Sequence, residues 1–204
     1  MLLLDVDGVL QFRRPEFLLA IERDYRWRHG YLAFERELLS DPAEARCLVG
    51  DGDLLTLVGQ ILPRHVHGLS AKEFIDRWLA DDIELNDELL DHIARLAVER
   101  IYLATNQEAV RAAHIAGLYA GRPWLTGILS SHEVGHAKPD RAYFDEALAR
   151  IGRPPQECLF IDDKQANVEG ASTAGMPGIH FRGNRQLMAD LTAYGLRPRR
   201  ESSD

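Results

Sequence analysis

Cysteine is scarce in this chain of 204 residues: there are two, Cys47 and Cys158, far apart and neither in a CxxC pair. That excludes a disulfide framework and a cysteine-rich zinc module, and the two read as thiols in a reducing compartment. Long apolar runs are missing as well. The opening MLLLDVDGVL reaches an aspartate after four residues, short of a secretory signal, and no run approaches the ~18 apolar residues of a membrane span. The expectation is a soluble, cytoplasmic protein without a membrane partner. A basic excess is absent too, with 24 Lys+Arg against 32 Asp+Glu and a net charge of -8. That argues against a nucleic-acid binder working by phosphate neutralisation and sits well with a divalent cation. Lysine itself is rare, only Lys72, Lys138 and Lys164, so each lysine draws attention to its chemistry.

What is present is an ordinary globular composition, 46% hydrophobic and 27% charged, with no repeat and no low-complexity tract. The length allows one substantial domain, or a core with a smaller insertion. Leu2 to Asp5 is too apolar to alternate, as in a strand covered on both faces of a parallel sheet. From about Arg14 to Leu85 only helical patterns follow. The clearest starts at Ser70-Ala-Lys-Glu73, a capping box with Leu69 and Phe74 placed as a hydrophobic staple. Asn86 can cap the next helix, whose inward positions are Leu89, Leu90, Ile93 and Leu96.

After Glu99 the pattern alternates. Strands are expected at Ile101–Ala104, Ile128–Ser130, Cys158–Ile161 and Gly178–Phe181. Helices are expected at Gln107–Ala116 (stopped by Gly117), after a cap at Asp140, at Gln165–Ala174 and at Arg185–Ala193, with a frayed tail from Arg197. This order implies an α/β, doubly wound, Rossmann-like parallel sheet. Residues 1-13 and 87-204 would form the α/β core, and 14-86 a small all-helical cap inserted after the first strand, positioned as a lid.

In such sheets ligands bind beyond the carboxyl ends of the strands. The predicted strands deliver there Asp5-Val-Asp7-Gly8, then Thr105-Asn106, then Lys138-Pro139-Asp140, then Asp162-Asp163. Each is ordinary alone: a chance DxD, a helix N-cap, a loop, an aspartate pair. Together they converge on one edge, and four clustered carboxylates repel one another unless a cation joins them. Hard oxygen donors without nearby thiol or imidazole select Mg2+. Two residues apart on a strand, Asp5 and Asp7 share a face, so one can serve as nucleophile and the other in proton transfer. Thr105, Asn106 and the helix they open make an anion site suited to phosphate, and Lys138 supplies positive charge.

These four segments resemble, in order and context, the four motifs of the haloacid dehalogenase superfamily of hydrolases, and the resemblance runs over essentially the whole chain. It implies an Mg2+-dependent phosphatase acting on a small phosphorylated metabolite. Asp5 would attack phosphorus to form an aspartyl-phosphate, and Asp7 would serve as acid and then base. Thr105, Asn106 and Lys138 would hold phosphate oxygens. Asp5, the Asp7 carbonyl and Asp163 would ligate the metal, with Asp162 orienting or acting through water. Val9 stands where the family more often has Thr. The dehalogenases lack the second aspartate of the first motif, so Asp7 argues for phosphoryl chemistry. Lys72, the sole lysine of the cap, reads as a solvated helix residue rather than a Schiff-base lysine. Two other readings fit the same motifs: a sugar phosphomutase, and a non-catalytic phosphate-binding or regulatory protein. A receiver-type signalling domain is disfavoured, since there the acidic pair comes first.

Several features carry less. The run Tyr25-Arg-Trp27-Arg-His29-Gly-Tyr31 reads as part of the helical block rather than a nucleic-acid surface. His65 and His67 read as a solvated loop. His132 and His136 precede Lys138 with a spacing that Gly135 makes unsuitable for a metal. Gly170, inside a helix, suggests close packing on the sheet. Arg13, Arg14 and Trp78 are candidates for substrate specificity.

Overall fold

The computed structural model describes residues 1–199. Its strands are β1 (Leu2–Leu4), β2 (Gln11–Arg13), β3 (Ile83–Leu85), β4 (Ile101–Thr105), β5 (Leu125–Ser130), β6 (Leu159–Asp162) and β7 (Gly178–His180). Five of them form one parallel sheet in the order β5-β4-β1-β6-β7, as a doubly wound topology requires. β1 is central, and Leu2, Leu3 and Leu4 are all fully buried. Its missing alternation has a plain cause, because both faces are covered. Leu2 and Leu4 join Leu90, Ile93, Ile115 and Leu187 on one side, and Leu3 joins Tyr143, Phe144 and Phe160 on the other.

The helices around the sheet are α6 (Asp87–Arg95), α7 (Ala109–Tyr119), α8 (Ser131–Val134), α9 (Arg141–Ile151), α10 (Gln165–Thr173) and α11 (Asn184–Ala193). Between β1 and β4 the chain inserts α1 (Pro15–Asp24), α2 (Tyr31–Ser40), α3 (Pro42–Leu48), α4 (Leu54–His65) and α5 (Ala71–Asp81). These inserted helices bury an apolar cluster of their own, including Phe17, Phe34, Leu57, Ile61 and Phe74. The capping box at Ser70 forms as its sequence implies, with the Glu73 carboxylate accepting from the Ser70 backbone N–H. Asn86 caps α6 and also donates to the Val9 carbonyl at 2.9 Å, which ties the end of the insertion to its start.

Several local expectations are corrected. β2 and β3 pair antiparallel and bracket the insertion, a small sheet that three-residue segments were too short to signal. α7 starts two residues late because Glu108, rather than Thr105-Asn106, caps it through the Val110 and Arg111 N–H groups. It then runs through Gly117 to Tyr119, whose ring is fully buried and pulls the last turn into the core. β5 begins three residues earlier than expected. The tail is fastened as far as Arg199, which donates its N–H to the Arg95 carbonyl at 2.7 Å; the remainder of the expected frayed tail, 200–204, lies outside the described residues. His65 is buried at the end of α4 against the Glu37 carboxylate rather than solvated.

Gly170 is needed for close packing, but against the Pro139 carbonyl and the Phe144 ring rather than the sheet. A Cβ there would overlap a backbone oxygen that cannot swing away. Helix propensity alone would favour Gly170→Ala by about 1 kcal/mol. The expected outcome is the reverse, a loss of about 2 kcal/mol in urea unfolding, because overpacking outweighs propensity. A stabilised variant would show that the α9–α10 contact yields easily.

Candidate active site

β1, β4 and β6 are neighbours in the sheet, so their carboxyl ends lie side by side, with the candidate residues Asp5, Asp7, Thr105, Asn106, Asp162 and Asp163 at or just beyond them. The Asp5 N–H donates to the Ile161 carbonyl at 2.9 Å, which carries β1–β6 pairing one residue beyond the strand. The chain then turns: the N–H groups of Leu10 and Gln11 both donate to the Val6 carbonyl. Asp7 therefore sits in a turn, not on a strand. Gly8 within it has φ +88°, and a Cβ there would overlap the Asp163 carboxylate, so glycine alone brings the first and last motifs this close.

Lys138 lies at the centre. Its buried ammonium contacts Asp5 Oδ1 at 2.8 Å and Asp162 Oδ2 at 2.6 Å, and donates to the Ala104 carbonyl at 2.8 Å. Three donors meet three acceptors, drawn from just beyond β1, from β4 and from β6. Asp162 is saturated: it also accepts from the Lys164 N–H and from Asn167 Nδ2. Asp163 differs, since its Oδ1 is buried and accepts no hydrogen bond. Carboxylate oxygens of Asp5, Asp162 and Asp163 lie within 4.8 Å of one another, a set that could hold a metal ion. An unpaired buried oxygen in this cluster of hard donors fits a ligand to a hard divalent cation.

Asp7 points to different partners. Its carboxylate accepts from Gln11 Nε2 at 2.8 Å, from Gln107 Nε2 and from Arg111 Nη2 at 2.9 Å. Burial works against its charge, but the Arg111 guanidinium and these hydrogen bonds hold its carboxyl below the usual range. Thr105 is buried, and its hydroxyl accepts from Gln107 Nε2 at 3.1 Å. The Asn106 side chain is engaged at both ends by the Lys138 backbone, donating to its carbonyl and accepting from its N–H, each at 2.8 Å. It braces the loop that presents Lys138, which leaves only its main chain to meet an anion.

Gln11, Gln107 and Arg111 were not foreseen. The signal for Arg111 was legible: it falls on the same helical stripe as Ile115 and Tyr119, a cation on an apolar face. Its guanidinium lies 4.7 Å from the centre of the Trp78 ring and 3.5 Å from Asp82, both contributed by the insertion. The site is thus joined to the helical block through one side chain.

A haloacid dehalogenase-like hydrolase model matches residues 2–175. The chain belongs to the haloacid dehalogenase-like hydrolases. Among curated relatives, it is 34% identical over 73 residues to flavin mononucleotide hydrolase 1 of Arabidopsis thaliana, which is 36% of this chain and 30% of that protein. It is 31% identical over 81 residues to a sesquiterpene phosphatase of Aspergillus oryzae, 40% of this chain and 41% of that one. The matched parts are thus less than half of those relatives. In fold, a HAD family enzyme of Bacteroides thetaiotaomicron in complex with magnesium and inorganic phosphate superposes with a TM-score of 0.71 at 20% identity, covering 87% of this chain and 91% of the other. No helix of the described residues is long and apolar enough to cross a membrane.

Burial, opposed by Lys138 and reinforced by Asp162, pushes the Asp5 carboxyl up to about 7 in the metal-free hydrolase. Between the unfolded carboxyl value near 4 and this folded value, the folded state binds more protons than the unfolded. The Asp5 contribution to stability is therefore full below about pH 4 and is lost as pH rises toward 7. Urea midpoints at pH 5 and 7.5 in chelator should differ more in the wild type than in Asp5→Asn; equal differences would refute the raised value.

Proposed function

We propose that this hydrolase is a Mg2+-dependent phosphatase that acts on a small phosphorylated metabolite through an aspartyl-phosphate on Asp5. The observation that carries the reading is Asp5, buried and oriented by Lys138, beside the unpaired oxygen of Asp163. The phosphatase and hydrolase relatives support it, as does the magnesium and phosphate complex of the structural neighbour. We assign residues 1-13 and 87-204 to the catalytic core and 14-86 to a cap, because the insertion has its own apolar cluster and leaves the core through the paired β2 and β3.

In the first half-reaction an Asp5 oxygen attacks phosphorus, the ester P–O bond breaks, and Asp7 gives its proton to the departing alkoxide oxygen. In the second, water attacks the phosphorus of the aspartyl-phosphate, Asp7 removes its proton, and the bond to Asp5 breaks to release phosphate. The lowered Asp7 carboxyl is ionised at neutral pH, so the proton it gives in the first half-reaction is one it gains when the anionic substrate is bound; Gln11, Gln107 and Arg111 fix its direction. Lys138 and the Thr105 hydroxyl hold phosphoryl oxygens, with the Asn106 main chain beside them. Asp5, the Asp7 carbonyl and Asp163 would hold Mg2+, with Asp162 orienting the set. When bound, the ion neutralises charge that the carboxylates would otherwise present to an anionic substrate.

Asp5→Asn should reduce magnesium-dependent phosphate release from phosphate esters by about 10³-fold or more, the scale of losing a covalent route. Asp163→Asn should raise the magnesium concentration for half-maximal activity by at least about tenfold while leaving the fold intact. Full turnover by Asp5→Asn, measured as free phosphate, would overturn the mechanism.

A further inference from the structure

A cavity of about 510 Å³ lies between the inserted helices and the carboxyl edge of the sheet, with Asp7, Gly8 and Asp163 at its floor. That volume is in the range of small-molecule sites. Away from the floor its wall presents Leu38, Leu48 and Trp78 among charged side chains, backed by Leu54, Val58 and Phe74, which are buried in the insertion's own cluster. Leu39, 62% exposed, adds an apolar side chain to the wall that is not covered by the rest of the protein.

The charges on the same wall are unevenly satisfied. Arg13 is held by Glu35 at 2.6 Å and Asp82 at 3.0 Å, and Arg111 by Asp7 and Asp82. Lys164, exposed, follows Asp163 directly and so belongs to the floor end. Beyond the floor, two carboxylates of the wall have no basic side chain within 4.0 Å among the described residues: Glu44 on α3 and Glu108 before α7, the latter already accepting from the Val110 and Arg111 N–H groups. Both line the cavity. Burial and then the neighbouring Glu108 charge push the Glu44 carboxyl above its usual range, so the two are close enough to repel. Beyond the phosphate end, then, every cation is neutralised and the free charge is negative. A second anionic group on a substrate would find no partner there and two repelling neighbours.

We propose that this cavity takes a phosphate monoester whose alcohol portion is uncharged and largely hydrocarbon, and that Glu44 helps to exclude esters bearing a second anion. The proposal rests on the phosphatase reading above and narrows it to a substrate class. The floor handles the phosphate of any ester; the wall decides which alcohol may accompany it. Phosphorylated carboxylic acids and bisphosphates are disfavoured by charge, and short polar alcohols by the apolar area they leave wet.

The test is a matched series with magnesium present: butyl, hexyl and octyl phosphate, and a hexyl phosphate ending in a carboxylate. For the wild type, kcat/KM should rise about threefold to fourfold per added methylene until the cavity is full. The carboxylate-ended ester should be at least about tenfold poorer than hexyl phosphate. In Glu44→Lys that penalty, taken as the ratio of the two esters within the variant, should shrink by about tenfold. Indifference to chain length, or a carboxylate-ended ester turned over as well as its neutral match, overturns the proposal while leaving the phosphatase reading in place. Release from no ester in the series or from other phosphate monoesters would instead remove the reading beneath it.

Discussion

A single buried ammonium holds the carboxyl edge of this sheet together. Lys138 reaches Asp5 beyond β1, the Ala104 carbonyl of β4 and Asp162 at the end of β6. A buried cation is costly to strip of water, and so are the two carboxylates it meets. Each is tolerable only because the others are present and the geometry satisfies all three donors of the ammonium. Everything near it is arranged to keep that geometry. Asn106 clamps the Lys138 backbone from both sides, Asn167 and the Lys164 N–H take the remaining lone pairs of Asp162, and Gly170 lets α10 close on the Pro139 carbonyl.

That saturation explains the division of labour between the two adjacent aspartates. Asp162 has spent both oxygens on Lys138, Lys164 and Asn167, and could reach an ion only by giving up bonds it already makes. Asp163 has kept a buried oxygen free, and Gly8 stands against its carboxylate because no larger residue would fit. One aspartate organises the site and its neighbour remains reactive, although the sequence shows only a repeated letter.

The sheet was readable because its pattern is local. Leu2 to Leu4 and Leu159 to Ile161 are continuous apolar runs, and a strand covered on both faces needs nothing else. The order of the aspartates, Thr105 and Lys138 along the chain was equally visible, because parallel topology converts chain order into one shared edge. The surroundings of Asp7 were less so: the apolar stripe of α7 marks Arg111 as inward-facing, but nothing in the sequence pairs it, or Gln11, with Asp7. The β2–β3 pair was invisible for a related reason. Three residues on each side, about 70 apart in sequence, carry no local signal of their pairing, which depends on the intervening helices bringing them side by side.

The same contrast separates the two halves of the cavity. Its floor is made of groups whose positions are fixed by the sheet and by one another, so exchanging any of them disturbs the buried charges. Its wall belongs to helices with their own apolar cluster, where Leu39 or Glu44 can change without touching that network. Arg111 is the exception, because it binds Asp7 on the floor while stacking on Trp78 and approaching Asp82 in the wall. Any movement of the helical block that carries Trp78 and Asp82 away must break Arg111's contacts with them or draw it from Asp7. The direction in which Asp7 is held is therefore coupled to the position of the insertion, because the guanidinium that fixes its carboxylate is itself fixed by Trp78 and Asp82.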